Sequence, residues 1–423
     1  MKTLGVITFG CRLNSLESES IISAFKKEGW AVDEGSDSDD AVIINTCTVT
    51  SKADQGARRI IRKYGSRVPT IVTGCYATLS QKQDIESLGT HVRLIKDKSV
   101  LLESDFILSL ANNTLCDISK HKYNPFVFSP DMFTLHSRAS LKIQDGCDNS
   151  CSFCAVHLAR GKSISLSPNE ILSRIKQLED NGYKEICLTG VNLSSYCYED
   201  ISFSKLLERI IPNLSSDTRL RFSSLEPDYL DDAFLSLASD FHIFPFFHLP
   251  IQSAAKRVLE LTGRKYDKND VAVIIEKLRK AKHNPYIAAD FIAGLPGEGD
   301  EEFKETYDFI KDTKLSKLHV FPYSPRSGTT AAREHRVPER IRDERAKILQ
   351  NLSNDLYNDY ILSCNNAVLE AICEKQTKEG IAVTTGNYIK AIIKHPTGLF
   401  KEGDLIRGTL QIENNLTVFV PCA

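Results

Sequence analysis

The sequence predicts a mixed α/β chain in three parts. These are a parallel, doubly wound N-terminal α/β domain, a central partial (β/α)6 barrel and a small C-terminal β-barrel. Three observations predict it. Short apolar runs alternate with amphipathic segments over the first hundred residues. The alternation resumes at Ser140 for six more rounds, too few for the eight-unit barrel. Beyond about residue 364 the helical period gives way to strand-like runs split by Gly and Asn turns.

Residues 3–10, "TLGVITFG", read as a buried strand. A helix follows from about Asn14, with Glu17 three residues on as a capping box and Ile21, Ile22 and Phe25 as its apolar face. Next come a strand "AVIINT", a basic helix "SKADQGARRIIRKYG", a strand "TIVTG", a helix near 81–88 and a strand "HVRLI". Residues 102–136 have weak periodicity and read as a linker with an edge element. The barrel strands are "SLKIQ", "EICLTGV", "RLRFSS", "IFPFFHL", "YIAADFIAG" and "KLHVFPYS", with helices near 168–181, 204–211, 228–238, 268–282 and 301–311. A charged amphipathic helix after Pro338 leads into the β-rich tail. The expected boundaries are 1–100, a linker 101–137, 138–330, a helical connector 331–363, and 364–423.

At 423 residues the chain exceeds one ordinary core, and its 42% hydrophobic and 26% charged content is that of a globular protein. No apolar run approaches a membrane span, and the opening "MKTLGVITFGCRLN" breaks at Arg12 and Asn14, too early for a secretory segment. A cytoplasmic protein is expected. A net charge of −2 gives no global case for nucleic acid, so any RNA contact must be local. Candidate patches are Arg58, Arg59, Arg62 and Lys63, the arginines between 333 and 345, and Tyr388 with Lys390. Charged helical faces are more often simply solvated. Twelve cysteines in a reducing compartment point to metal ligation or catalysis rather than disulfides.

Six of those cysteines form two sets. Cys11, Cys47 and Cys75 each directly follow a predicted strand, and the carboxyl ends of parallel strands share one edge where ligands bind. The alternative is three buried core thiols. Cys147, Cys151 and Cys154, spaced C-x3-C-x2-C, follow the first barrel strand on the face where barrel sites lie. Thiolates select zinc or iron–sulfur clusters, and a 4Fe–4S cluster on three cysteines keeps one iron open. The alternative is zinc closed by His157, although C-x2-C-x2-H is an awkward tetrahedral geometry.

The C-x3-C-x2-C motif resembles that of the radical S-adenosylmethionine (SAM) enzymes, and the chain as a whole is similar to their methylthiotransferase branch. Within it, "TFGCRLNSLES", "NTCTVTSKADQGARRIIR", "VTGCYA", "KIQDGCDNSCSFC", "LTGVNLSSY", "RLRFSSLEP" and "HVFPYSPRSGT" resemble the tRNA methylthiotransferases acting on threonylcarbamoyladenosine. The resemblance implies a central radical-SAM barrel and a C-terminal TRAM-like β domain. It implies two 4Fe–4S clusters, on Cys147, Cys151 and Cys154 and on Cys11, Cys47 and Cys75, with SAM as methyl donor and radical source. The substrate would be N6-threonylcarbamoyladenosine at position 37 in the anticodon stem-loop of tRNA. A flavodoxin or ferredoxin would supply electrons, and no membrane would be involved. An aromatic C2–H has no leaving group and little acidity, which is why such chemistry falls to these cofactors.

By position, Thr189 and Gly190, Ser223 and Glu226, His248 and Gln252, and Asp290 would face SAM. The plainer readings are a helix cap before Pro227 for Ser223 and Glu226, a core histidine for His248, and a simple turn after Asp290. Two departures from the family stand out: His157 where a proline is usual, and Ala254, Ala255 and Lys256 where Gly-Ser-Asp is usual. Cys116, Cys187, Cys197, Cys364, Cys373 and Cys422 have no partner pattern and read as structural. The rival functions are a ribosomal-protein methylthiotransferase with the same chemistry and a zinc-stabilised RNA-binding protein.

Overall fold

The computed structural model describes residues 1–36, 39–48, 51–112, 124–130, 133, 137–394, 400–413 and 416–422. Cys116 lies outside them. Strands β1 (Thr3–Thr8), β2 (Ala31–Asp33), β3 (Ala41–Thr46), β4 (Thr70–Gly74) and β5 (Val92–Leu94) form a parallel sheet in the order β2-β1-β3-β4-β5. Every residue of β3 and β4 is buried, as a sheet covered on both faces requires. Helix Arg12–Lys27 covers one face through Ile21, Ile22 and Phe25, and helix Ser51–Gly65 covers the other through Ala57, Ile61 and Tyr64. The strand order reverses between β1 and β3, which makes the carboxyl ends of those strands the ligand edge.

Two expectations change here. Helix Arg12–Lys27 begins two residues before Asn14, and its N-cap, Cys11, makes no side-chain capping bond. Glu17 is therefore no capping residue. The segment read as a linker opens with a helix, Ser104–Ala111, whose Phe106, Ile107 and Leu110 pack into the core beneath β1. Two turns are too few for a helical period to stand out in the sequence.

Strands β6 (Ala139–Lys142), β7 (Glu185–Thr189) and β8 (Arg219–Phe222) pair in parallel, as do β9 (Phe246–Gln252), β10 (Tyr286–Ala293) and β11 (Lys317–Pro322). Parallel bridges Leu220–Ile243 and Ser224–His248 join the two halves into an open six-strand barrel. Ser167, Ser202, Asp231 and Asp267 cap the intervening helices by accepting first-turn backbone N–H groups.

Helix Glu339–Ser363 runs along β11, where Ser353 Oγ accepts from Leu318 N at 3.0 Å. Then β12 (Val368–Gln376), β13 (Ile381–Thr385), β14 (Lys390–Ile393), β15 (Leu405–Glu413) and β16 (Leu416–Pro421) close a barrel in the order β12-β13-β14-β16-β15, which leaves no edge unpaired. This barrel docks on the start of the central strands. Arg219 grips Glu370 at 2.6 and 2.8 Å, and buried Arg221 donates to Glu185 and to the Gly386 carbonyl. Among the described residues, no helix is long and apolar enough to cross a membrane.

Candidate active site

The first cysteine set is gathered by tight turns at three strand ends. Gly10 sits at φ +96°, and a Cβ there would fall 2.3 Å from the Cys47 Cβ, so only glycine lets Cys11 and Cys47 approach. Cys47 and Cys75 are buried and Cys11 is exposed. All three open into one cavity of about 380 Å³, whose far walls are the carboxyl ends of β7 and β8 and the first residues of β9 and β10. The three cysteines converge, lining one cavity together with barrel residues.

The second set lies in the loop after β6. Cys147 N donates to Gly161 O, Cys154 N to Cys151 O, and Val156 N to Cys154 Sγ at 3.4 Å. Burial pushes all three thiols up, Cys151 to about 11 although Arg264 pulls it back. Loading iron on these cysteines must therefore displace protons. Zinc at 2.3 Å from each thiolate would draw the sulfurs to about 3.8 Å apart. Among the described residues, the one set of three His, Cys, Asp or Glu ligand atoms within 4.8 Å of one another is His248, Asp290 and His319. Neither cysteine set closes on a single ion, and His157 does not join one. Its Nδ1 is buried and has no hydrogen-bond partner among the described residues. Backbone N–H groups of Asn149, Val156 and His157 hydrogen-bond Cys147 and Cys154, a setting that suits thiolates holding an iron–sulfur cluster.

Of the residues expected to face SAM, Thr189, Gly190, Ser223 and His248 line the shared cavity. Gln252 and Asp290 line an adjoining cavity of about 140 Å³ that also touches Cys154. Among the described residues Ser223 Oγ, which is buried, has no hydrogen-bond partner, as a ligand-binding hydroxyl would. Gln252 ends β9 at φ +71°, a strained backbone of the kind found at functional sites. Glu226 stands apart. It neither faces these cavities nor caps the turn before Pro227, but pairs with Arg264 close to the cluster loop. Gly190 owes its identity to packing, since a Cβ would lie 2.7 Å from Gln144 Oε1.

His248 is no plain core histidine. Its Nδ1 meets Ser224 Oγ at 2.8 Å, and its Nε2 lies 2.9 Å from Asp290 Oδ1 and 3.2 Å from His319 Nδ1. Burial raises the Asp290 pKa, but the hydrogen bonds and charges of the two imidazoles outweigh it and bring the carboxyl down to about 2. Ala254 and Ala255 are fully buried, and their amides are taken by Thr306 and Ser253. Lys256 is exposed at a helix start.

Sequence reasoning missed several cavity residues: Arg12, Thr48, Arg160, Ser224, Phe246, Tyr286 and His319. Arg12 and His319 each lie inside a quoted motif, so position within it was the available signal. Tyr388, expected on an RNA-facing surface, instead reaches from the C-terminal barrel into the cavity, its ring 4.7 Å from Phe246. Arg345, assigned to a basic patch, is buried on Glu298 and Asp300 at 2.8 and 2.7 Å. Arg58 lies over the Tyr76 ring.

A buried ionic cluster ties the two cysteine-bearing units together. Glu17 accepts from Lys98, from Lys142 at 3.0 Å and from Arg160 at 3.0 Å, and Asp145 accepts from Lys142 at 2.5 Å and Arg160 at 3.2 Å. Three cations against two carboxylates leave one net positive charge close to Cys75, where thiolate or cluster charge would be stabilised.

Residues 141–310 match the Radical SAM superfamily and residues 3–96 match uncharacterized protein family UPF0004. The chain is 38% identical to threonylcarbamoyladenosine tRNA methylthiotransferase MtaB of Bacillus subtilis, over 93% of this chain and 91% of that one. It is 34% identical to the protein of that name from Treponema pallidum, over 92% and 94%. A tRNA-2-methylthio-N(6)-dimethylallyladenosine synthase from Endomicrobium trichonymphae is 31% identical over 94% and 92%. The radical S-adenosylmethionine methyltransferase TsrM of Kitasatospora setae superposes with a TM-score of 0.52 at 14% identity, covering 78% of this chain and 74% of that one, which shows a common fold.

Proposed function

Because the chain belongs to the radical-SAM tRNA methylthiotransferases, in the company of the threonylcarbamoyladenosine enzymes, we propose that it replaces the C2 hydrogen of N6-threonylcarbamoyladenosine in tRNA with a methylthio group. Cys147, Cys151 and Cys154 would hold a 4Fe–4S cluster that, with SAM, supplies a radical strong enough to remove an unactivated hydrogen. Ser223, Gln252, His248 and Asp290 bind and orient SAM beside that loop. Cys11, Cys47 and Cys75 would hold a second 4Fe–4S cluster, which would supply the sulfur chemistry of the reaction. Phe246, Tyr286 and Tyr388 form the aromatic wall against which the base stacks. The substrate nucleoside is position 37 of the anticodon stem-loop, a flavodoxin or ferredoxin is the reductant, and the protein works in the cytoplasm. Functionally the chain divides into the second-cluster unit, the radical-SAM barrel and a TRAM-like module near the proposed boundaries of 1–100, 138–330 and 364–423.

The observation that carries this reading is the single cavity shared by three dispersed cysteines and the barrel residues Thr189, Ser223 and His248. Radical generation and sulfur delivery then act on one bound base. Anaerobically reconstituted protein, SAM, reductant and tRNA bearing threonylcarbamoyladenosine should yield the 2-methylthio nucleoside by mass spectrometry. Cys47→Ser should halve the bound iron and abolish sulfur insertion while SAM cleavage continues. Unmodified nucleoside with wild type, under conditions that cleave SAM, would remove the substrate assignment. Unchanged iron in Cys47→Ser would remove the second cluster.

A further inference from the structure

We propose that Arg12 binds the carboxylate of the N6 substituent and thereby selects an anionic N6 group over an apolar one; this rests on the threonylcarbamoyladenosine reading above. Arg12 opens helix Arg12–Lys27, directly follows Cys11, and lines the cavity that holds the three cysteines and Tyr388. Its side chain is half-buried, and its hydrogen bond among the described residues runs from Nη1 to the Cys187 Sγ at 2.5 Å. That engages one of five N–H donors on a group that cannot shed its charge. No carboxylate pairs with it among the described residues. Glu185, an acid whose charge it feels, is held by Arg221 at 2.6 Å and faces Arg138 at 3.8 Å. Arg160, the other guanidinium on this cavity, is committed to Glu17 and Asp145.

A guanidinium beside an aromatic wall with a thiol for its partner is costly until an anion completes it. The substrate supplies one at a fitting place. In adenine, C2 and C6 both flank N1, so a base that presents C2 to the cysteines carries its N6 substituent along the same edge. Cys11 and Arg12 are adjacent in the chain, and C2 and N6 lie on either side of N1 on that edge. The threonyl carboxylate matches the guanidinium fork, whereas a dimethylallyl group offers it nothing.

The test uses the full chain, with its iron, and anticodon stem-loops carrying either the threonylcarbamoyl acid or its neutral primary amide. Wild type should bind the acid roughly 10- to 100-fold more tightly than the amide. Arg12→Gln should bind both alike, at the amide's level, and Arg12→Lys should recover part of the preference. Iron content reports on the folded site. A persisting acid preference in Arg12→Gln, equal losses on acid and amide, or loss of iron with Arg12→Gln (which would make Arg12 a counter-charge for the cluster) would each overturn the proposal. Wild type that prefers the acid in binding yet never methylthiolates it would overturn the parent reading and leave this contact standing.

Discussion

Asp290 carries its charge between two imidazoles, and the sign of its pH dependence follows. Its folded pKa of about 2 lies below the unfolded carboxyl value near 3.9. The stability it contributes is therefore complete above roughly pH 5 and is lost as the pH falls through about 4 toward 2. The urea midpoint of Asp290→Asn should lie below wild type at neutral pH, with the gap shrinking as acid protonates the wild-type carboxyl. A gap independent of pH would show that the pairing carries no charge contribution. His248 and Asp290 were picked out in the sequence as strand-end residues, whereas both sit within their strands, Phe246–Gln252 and Tyr286–Ala293. His319 was not picked out, because only the parallel register that sets it opposite Asp290 brings it to the same oxygen. Thr189 and Ser223 were found by the same strand-end logic. Glu226 was picked by the same logic, and in space it pairs with Arg264 close enough to the cluster loop for its charge to act on Cys147 and Cys151.

Helix Arg12–Lys27 delivers Glu17 to the seam between the sheet and the barrel. Replacing it by Gln would leave Lys98, Lys142 and Arg160 buried around a single remaining carboxylate, Asp145. Breaking a buried pair from one side costs about 3–5 kcal/mol, so Glu17→Gln should lower the urea midpoint sharply. A variant as stable as wild type would mean that water or a shifted proton already neutralises the cluster. The Asn14–Glu17 spacing imitates a capping box, which is a local pattern. The real partners of Glu17 lie 81, 125 and 143 residues along the chain, where no local pattern reaches. Asn14 is likewise non-local, donating to the Thr46 carbonyl and accepting from Arg160. Elements with long, regular periods were read correctly; this helix start and the two-turn helix Ser104–Ala111 were not.

At the scale of the molecule, the three units were legible because each has its own hydrophobic rhythm. The cavity was not, because it is made where they meet and belongs to no single rhythm. The C-terminal barrel is a case in point. Tyr388 holds a left-handed φ of +65°, a conformation costly for an aromatic residue, and its ring closes the cavity beside Phe246. Tyr388→Ala should weaken stem-loop binding by about 1–3 kcal/mol, the range for one base–aromatic stack, while Tyr388→Phe should bind like wild type. Equal weakening in both variants would assign the effect to the hydroxyl and not the ring.

The buried cluster around Glu17 also has a direction in time. Chains emerge from the ribosome N-terminus first and fold unit by unit in that order. The helix bearing Glu17 is complete before Lys142 and Arg160 are made, so the barrel's cations emerge to find their acid already in place. A barrel expressed by itself would have to bury those two cations with Asp145 alone.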